Sequence, residues 1–255
     1  MVKQNKRKNR IGLALVISVY LVGLLVFLPA RLVMALAPLP EHVQLQGVQG
    51  TLWKGQAQQI RIQHQYMEQV SWDVFPLALL AGQLAADIQI GQSPVNPVRG
   101  QAHVVMSLSG QQLTLTDARF QGELGHLARW LDIPDLVPLQ GEVVLGVTEF
   151  ALGQPICSHL NARLAAYEVE TLMGTRWQAL GDYSMQLACS NGLVQVDMDP
   201  SNYLGLRVQG DFAPGNVDLA VTMQPTAMAP TAIHDLLQLV GRPNQQGQYS
   251  FRFQL

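Results

Sequence analysis

Tyr183-Ser184-Met185-Gln186-Leu187-Ala188-Cys189-Ser190-Asn191-Gly192-Leu193-Val194-Gln195-Val196-Asp197-Met198 reads as a β-hairpin. Tyr183, Met185, Leu187 and Cys189 recur every second residue. Asn191-Gly192 is the dipeptide that two-residue hairpin turns favour, and Val194, Val196 and Met198 then resume the rhythm. A period of two gives a strand one apolar face and one wet face. Cys189 is expected on the apolar face.

The same rhythm extends outward on both sides. Toward the C-terminus, Leu204, Leu206, Val208 and Phe212 are followed by the turn Ala213-Pro214-Gly215-Asn216, and then by Val217, Leu219, Val221 and Met223. Thr231 to Val240 is a helix candidate with Thr231 as N-cap and Gly241 as C-cap, and Tyr249, Phe251, Phe253 and Leu255 form a terminal strand. Toward the N-terminus, Leu160, Ala162 and Leu164 alternate, as do Val143, Leu145 and Val147, then Leu113 with Leu115, and Val104, Met106 and Leu108. Val70, Trp72 and Val74 alternate as well, and Ile60 with Ile62. Leu124 to Leu131 is expected to be helical, Leu77 to Ala81 a short helical turn after Pro76, and Gln92 to Arg99 a loop. Three times a short apolar helix, a glycine and an alternating strand follow one another: Pro76–Ile90, Gly125–Val147 and Thr231–Leu255. The spacing is irregular, which excludes a solenoid of fixed period. The pattern predicts a mainly β protein: a long, curved antiparallel sheet with a few short helices, apolar on one face and polar on the other.

The first part of the chain is different. Ile11 to Leu28 carries no charge over 18 residues, enough for a helix roughly 27 Å long, about the thickness of a bilayer's hydrocarbon core. Lys3, Lys6, Arg7, Lys8 and Arg10 precede it with no acid among them. The positive-inside rule keeps those cations in the cytoplasm and sends the rest of the chain across the membrane. The competing reading is a cleaved signal peptide, for which Ala35-Leu36-Ala37 is a suitable site. Against it, the apolar run is longer than a usual h-region, and Pro29 and Arg31 separate it from Ala35. The expected organisation is a basic cytoplasmic tail over 1–10, a transmembrane anchor over 11–36 and an exported β-rich domain over 37–255, with Pro29 to Pro40 as a linker.

Charge and cysteine usage narrow the function. After Leu28 there are 11 Lys and Arg against 18 Asp and Glu, a balance of −7, and Lys54 is the only lysine. No basic stripe suited to nucleic acid is present. Cys157 and Cys189 both lie in the exported part, where an oxidising compartment favours a disulfide over the alternative of two buried thiols. The six histidines are scattered, without zinc spacing, and Cys157-Ser158-His159 stands alone. Asp132 and Asp135 read as loop acids beside Pro134, and Asp197 and Asp199 as the polar face of a strand. No catalytic, cofactor-binding or metal-binding set emerges.

Two stretches carry a family signature. Gly47-Val48-Gln49-Gly50-Thr51-Leu52-Trp53-Lys54-Gly55 is followed by Trp72-Asp73-Val74-Phe75-Pro76-Leu77-Ala78-Leu79-Leu80-Ala81-Gly82-Gln83-Leu84. With one N-terminal apolar stretch and this length, the chain resembles the type II secretion system protein N family. The resemblance implies a single-pass inner-membrane component, its bulk in the periplasm of a Gram-negative bacterium. Such a component helps export folded proteins across the outer membrane through contacts with other parts of the machinery, without catalysis or cofactor. The helix–glycine–strand rhythm is also similar to AsmA-like envelope proteins, which implies the rival of a periplasmic lipid-handling or envelope-maintenance role, with the sheet's apolar face serving as a groove. Trp72 shares the apolar face of Val70 and Val74 and is expected in the core; the face of Trp53 is left open by the turn around it.

Overall fold

The hairpin read from Tyr183 to Met198 is present in the computed structural model, which describes residues 16–20, 23, 24, 26–36, 43–62, 65–91, 93, 96–130, 138–213, 215–231, 233, 237 and 243–254. Its strands pair in the register Ser190 with Leu193, Cys189 with Val194, Leu187 with Val196 and Met185 with Met198. Asn191 and Gly192 have φ of 52° and 83°, the left-handed pair that a two-residue turn of this twist requires. A side chain at Gly192 would also run into the carbonyl of Gln154.

The strands are β1 (Val43–Gln46), β2 (Gln49–Gly50), β3 (Lys54–Ile62), β4 (Gln65–Phe75), β5 (Gln83–Ile90), β6 (Arg99–Ser107) and β7 (Leu113–Glu123). They continue as β8 (Leu139–Leu152), β9 (Cys157–Met173), β10 (Arg176–Ser190), β11 (Leu193–Met198), β12 (Arg207–Ala213), β13 (Asn216–Met223) and β14 (Tyr249–Gln254). They form one antiparallel sheet in the order β1-β3-β4 and then consecutively to β14, with β2 paired to β3 off that path. From β3 onward each strand lies beside the next in sequence, so turns and short connections suffice and no crossover is needed. The middle strands are long. β9 has 17 residues, about 55 Å at roughly 3.3 Å per residue.

One line of directly opposed residues crosses the sheet. Val70 faces Ile90, Ile90 faces Gly100, and Gly100 faces Phe120. Phe120 faces Leu145, Leu145 faces Leu164, Leu164 faces Met185, and Met185 faces Met198. Opposed residues share a face, so eight strands present one apolar row. Beside it, Ala102, Ala118, Val147 and Ala162 are buried together under Leu115, Phe150, Leu160 and Leu187. One residue along, the other face carries Gln101, Arg119, Gly146, Arg163, Gln186 and Asp197. Register shifts between Gln101 and His103, between Val147 and Glu149, and at Gly181 add local bends and twist.

Among the described residues, two short helices and one 3-10 turn lie against the sheet. α1 is Ala30–Leu36 and α2 is Leu124–Trp130, and Pro76–Ala81 is the 3-10 turn before Gly82. The Glu123 carboxylate accepts the backbone N–H groups of Gly125 and His126 at 2.9 and 2.7 Å and so starts α2. The linker expected over Pro29 to Pro40 is corrected in part, since Ala30–Leu36 is helical and Ala30 is fully buried. Most of the helix expected from Thr231 to Val240 lies outside the described residues, as do Asp132 and Asp135. Residues 16–20 are helical, but among the described residues no helix is long and apolar enough to cross a membrane.

Replacing Gly192 with alanine should lower unfolding free energy by about 1–3 kcal/mol, because the new side chain is strained at this φ and meets the Gln154 carbonyl. The urea midpoint, at unchanged slope, is the measurement. Asn191→Gly, which the turn accepts, should change it much less.

Candidate functional site

Two regions of the sheet are built rather than merely exposed. The first joins the N-terminal segment to the sheet. Thr51 to Lys54 forms a tight turn: the Thr51 N–H donates to the Lys54 carbonyl at 2.9 Å, and the Lys54 N–H donates to Thr51 Oγ1 at 3.1 Å. On its outer side the Leu52 N–H donates to the Leu28 carbonyl at 2.9 Å, and Pro29 bridges to Thr51. Arg31 Nε donates to the Val48 carbonyl at 2.9 Å. Ala30, Val48 and Ala57 are buried together, with Leu45, Ile60 and Trp72 packed against them.

The two signature stretches meet in this junction. β3 and β4 pair Gly55 with Trp72 and Lys54 with Asp73. The Trp72 ring lies over Gly55, where a Cβ would stand 2.5 Å from the ring, so only glycine fits beneath the indole. Trp72 Nε1 donates to the Leu52 carbonyl at 3.1 Å. Trp72, half-buried, thus packs against that buried cluster with its polar atom satisfied. Trp53 is half-buried, and its carbonyl accepts the Val74 N–H. Lys54 Nζ lies 2.8 Å from Asp73 Oδ2, and that carboxylate holds the ammonium above its usual range; the pair is exposed and worth little in stability.

The second region is a trough on the apolar face. A flat sheet encloses no volume, yet one cavity of about 760 Å³ touches Met67 of β4, Phe120 of β7, Leu164 of β9 and Met198 of β11. The sheet is therefore concave over these strands. Leu124, Leu127 and Ala128 of α2 form a wall. Tyr183 stands in the trough and donates its hydroxyl to the Leu180 carbonyl at 3.0 Å. Desolvation pushes its phenol up to about 12. On the outer face of the sheet a second cavity of about 1110 Å³ is lined by Arg99, Gln121, Glu142 and Glu170, and it reaches His126 and Arg129 of α2. Gln121, Gly122, Leu139 and Val169 line both spaces, so the sheet itself separates them.

The other polar groups are dispersed. His103 Nδ1 lies 2.6 Å from Asp87 Oδ1, with Phe75 tilted over the imidazole at 5.8 Å. Asp197 accepts Gln209 Nε2 at 2.9 Å. Asp199 caps the Ser201 N–H at 2.8 Å, which holds its carboxyl below the usual range. His159 lies 3.5 Å from Glu149 on the surface. Among the described residues no three His, Cys, Asp or Glu could hold a metal. Cys157, at the start of β9, and Cys189, near the end of β10, have sulfurs 2.10 Å apart and Cα atoms 6.1 Å apart. Sequence reasoning left the docking of Arg31 and the alignment of the trough residues unread, since neither depends on local pattern.

Comparison with known proteins bears on these regions. A family model described as type II secretion system (T2SS), protein N matches residues 41–252, which takes in the sheet side of the junction and the whole trough. The chain is 30% identical to a type II secretion system protein N of Vibrio cholerae, over 97% of this chain and 98% of that one. It is 28% identical to one of Aeromonas hydrophila, over 94% and 96%. A protein of the same name in Klebsiella pneumoniae is 25% identical, over 97% and 96%. No solved structure matches.

Two outcomes test this geometry. Trp72→Ala should cost about 3 kcal/mol, since it empties the space above Gly55 and unpacks the junction, whereas Trp72→Phe should cost about 1–2 kcal/mol, keeping much of the ring but losing the bond to Leu52. The folded chain holds the Tyr183 proton more tightly than the unfolded chain, whose phenol titrates near 10.0. Stability from this source is intact below that value and is lost as pH rises from there through about 12. Urea midpoints measured across that window should fall less steeply for Tyr183→Phe than for the wild type.

Proposed function

We propose that this chain, which belongs to the type II secretion system protein N family, acts as an inner-membrane-anchored, periplasmic component of that machinery, working by protein–protein contact and not by catalysis. The observation that carries this reading is the extent of the match. It spans residues 41–252, and the signature stretches inside it are the ones that clasp the N-terminal segment to the sheet. A component that must stand at a membrane and reach into the periplasm needs such a joint.

In this proposal residues 1–10 are the cytoplasmic tail, 11–36 the anchor region and 37–255 the periplasmic domain. Five cations ahead of an uncharged apolar stretch support the orientation. The exposed Val16, Tyr20 and Phe27 support insertion, because apolar side chains with no sheet to bury them are at home in lipid. Alkaline phosphatase fused after Leu255 should be active, and the protein should stay with the membrane in carbonate. An expressed but inactive fusion, or a mature chain that begins at Pro38, overturns the topology. Deleting the gene should leave exoproteins in the periplasm or lower their release while export across the inner membrane continues. Normal secretion of every substrate counts against the role.

The same placement assigns a bridge between Cys157 and Cys189, formed in an oxidising compartment. It ties the start of β9 to the β10–β11 turn, where the Ile156 N–H already donates to the Gly192 carbonyl at 3.0 Å. Closing a loop with a sequence separation of 32 contributes about 3–4 kcal/mol in the chain-entropy model. Either Cys→Ser change should lower the steady-state level, and the double change should do no further harm. Two free thiols in unreduced, denatured protein would eliminate the bridge.

A further inference from the structure

We propose that the apolar tip made by the 3-10 turn Pro76–Ala81 and the neighbouring turn at Leu108 rests in the surface of the bilayer that holds the N-terminal segment. This is a second contact between the chain and lipid. It rests on the anchored reading above and adds to it which end of the strands faces the membrane.

The 3-10 turn buries none of its residues. Leu77 and Leu80 are 77% and 87% exposed, more than Val16, Tyr20 or Phe27 of the N-terminal segment. Phe75, which leads into the turn, is exposed as well. Leu108, 61% exposed, stands at the next tip, and its N–H donates to the Gly82 carbonyl at 3.0 Å, so the two tips are neighbours. Val74 to Ala86 and Val104 to Thr116 carry no charged residue. Lys54 and Asp73, beside the tip, neutralise each other. The opposite ends of the strands are different: Glu123 and Arg129 lie at one connection, and Glu170 and Arg176 flank another. Apolar side chains gathered at one charge-free end and left uncovered by the chain's own sheet mark a contact surface.

The junction selects what covers it. The Leu52 N–H donates to the Leu28 carbonyl, and the Val74 N–H donates to the Trp53 carbonyl. Leu28, Leu52–Trp53 and Val74 therefore lie on three adjacent segments. The end of the uncharged run Ile11–Leu28 stands about 10 Å from Val74, two strand spacings away, and Pro76 follows two residues later. Ala30 is fully buried and Arg31 Nε is bonded to the Val48 carbonyl, so a packed joint, not a swinging linker, sets this relation. With the run in the bilayer, the tip is delivered to the lipid surface. Tethering raises its local concentration there, so a contact too weak to hold the chain alone suffices. A protein partner would find on the 3-10 turn neither a charge nor a side-chain hydrogen bond to recognise. The boundary of a bilayer asks for neither and accepts leucine.

The test uses the full-length chain reconstituted into vesicles of phosphatidylethanolamine and phosphatidylglycerol that contain a phospholipid with a diazirine near the head of its acyl chain. Photolysis should label peptides of the N-terminal segment and, separately, peptides holding Leu77, Leu80 and Leu108. Trp177, exposed at the opposite ends of the strands, should stay unlabelled. Changing Leu77→Asp and Leu80→Asp together removes no buried group, so the fold should be kept, and labelling of the tip should fall at least about five-fold while that of the N-terminal segment is unchanged. Label in the N-terminal segment without label at the tip overturns the proposal and leaves the anchor standing. Absence of label from both overturns the anchored reading and the proposal with it. Equal labelling of Trp177 or tip labelling that survives the double change means indiscriminate adsorption, and either result overturns the proposal.

Discussion

Everything else in this protein depends on the antiparallel hydrogen-bond ladder that joins each strand from β3 onward to the next in sequence. The backbone groups of β9, the longest strand, are paired along most of its length with β8 on one side and β10 on the other. That ladder fixes which side chains stand opposite one another. Since side chains alternate at every residue, a slip of one position would turn Leu145, Leu164 and Met185 from the apolar face to the polar one. The burial of one face and the hydrogen bonding of the backbone therefore support the same register.

The concavity is a second-order result of the same ladder. Where two residues oppose one, as around Gly181 and between Val147 and Glu149, the strand bends and the twist increases. Asp117 and Glu168 adopt φ of 49° and 50°, near other such irregularities. Bending across eight strands opens the trough, which α2 closes at one side. The helix exists there because Glu123 caps it and because Leu124, Leu127 and Ala128 share one helical face.

An open sheet must also manage its edges. β1 is short, at four residues, and lies beside the junction that holds α1. β14 carries a charge instead: Arg252 makes a two-pronged bond to Asp218 at 2.9 and 2.8 Å, and the guanidinium holds that carboxyl below its usual range. A charged side chain on an edge strand discourages pairing with a further strand. Nothing catalytic has to be invoked for either arrangement.

The sequence by itself determined most of the strands and turns, the polarity of the faces and the family, although Leu204 and Leu206, read as strand, precede β12 and Asp199 lies beyond the end of β11. Alternation from Tyr183 to Cys189, the Asn191-Gly192 turn and the glycine-and-tryptophan signature are local features whose meaning does not wait for distant contacts. The helix at Leu124 and the short turn after Pro76 were legible for the same reason. Tertiary structure decided the rest. Pro29 to Pro40 reads as a linker because prolines bound it, yet Ala30–Leu36 is helical, with Ala30 buried against Val48 and Ala57 and Arg31 bonded to the Val48 carbonyl. Those partners are remote in sequence, and no periodicity encodes them. Trp53 kept an undefined face until the turn at Thr51 was placed. Alternation tells which residues share a face of one strand, but only the register of all the ladders tells that Phe120, Leu145, Leu164 and Met185 line up, and only the bends in those ladders open a space above them.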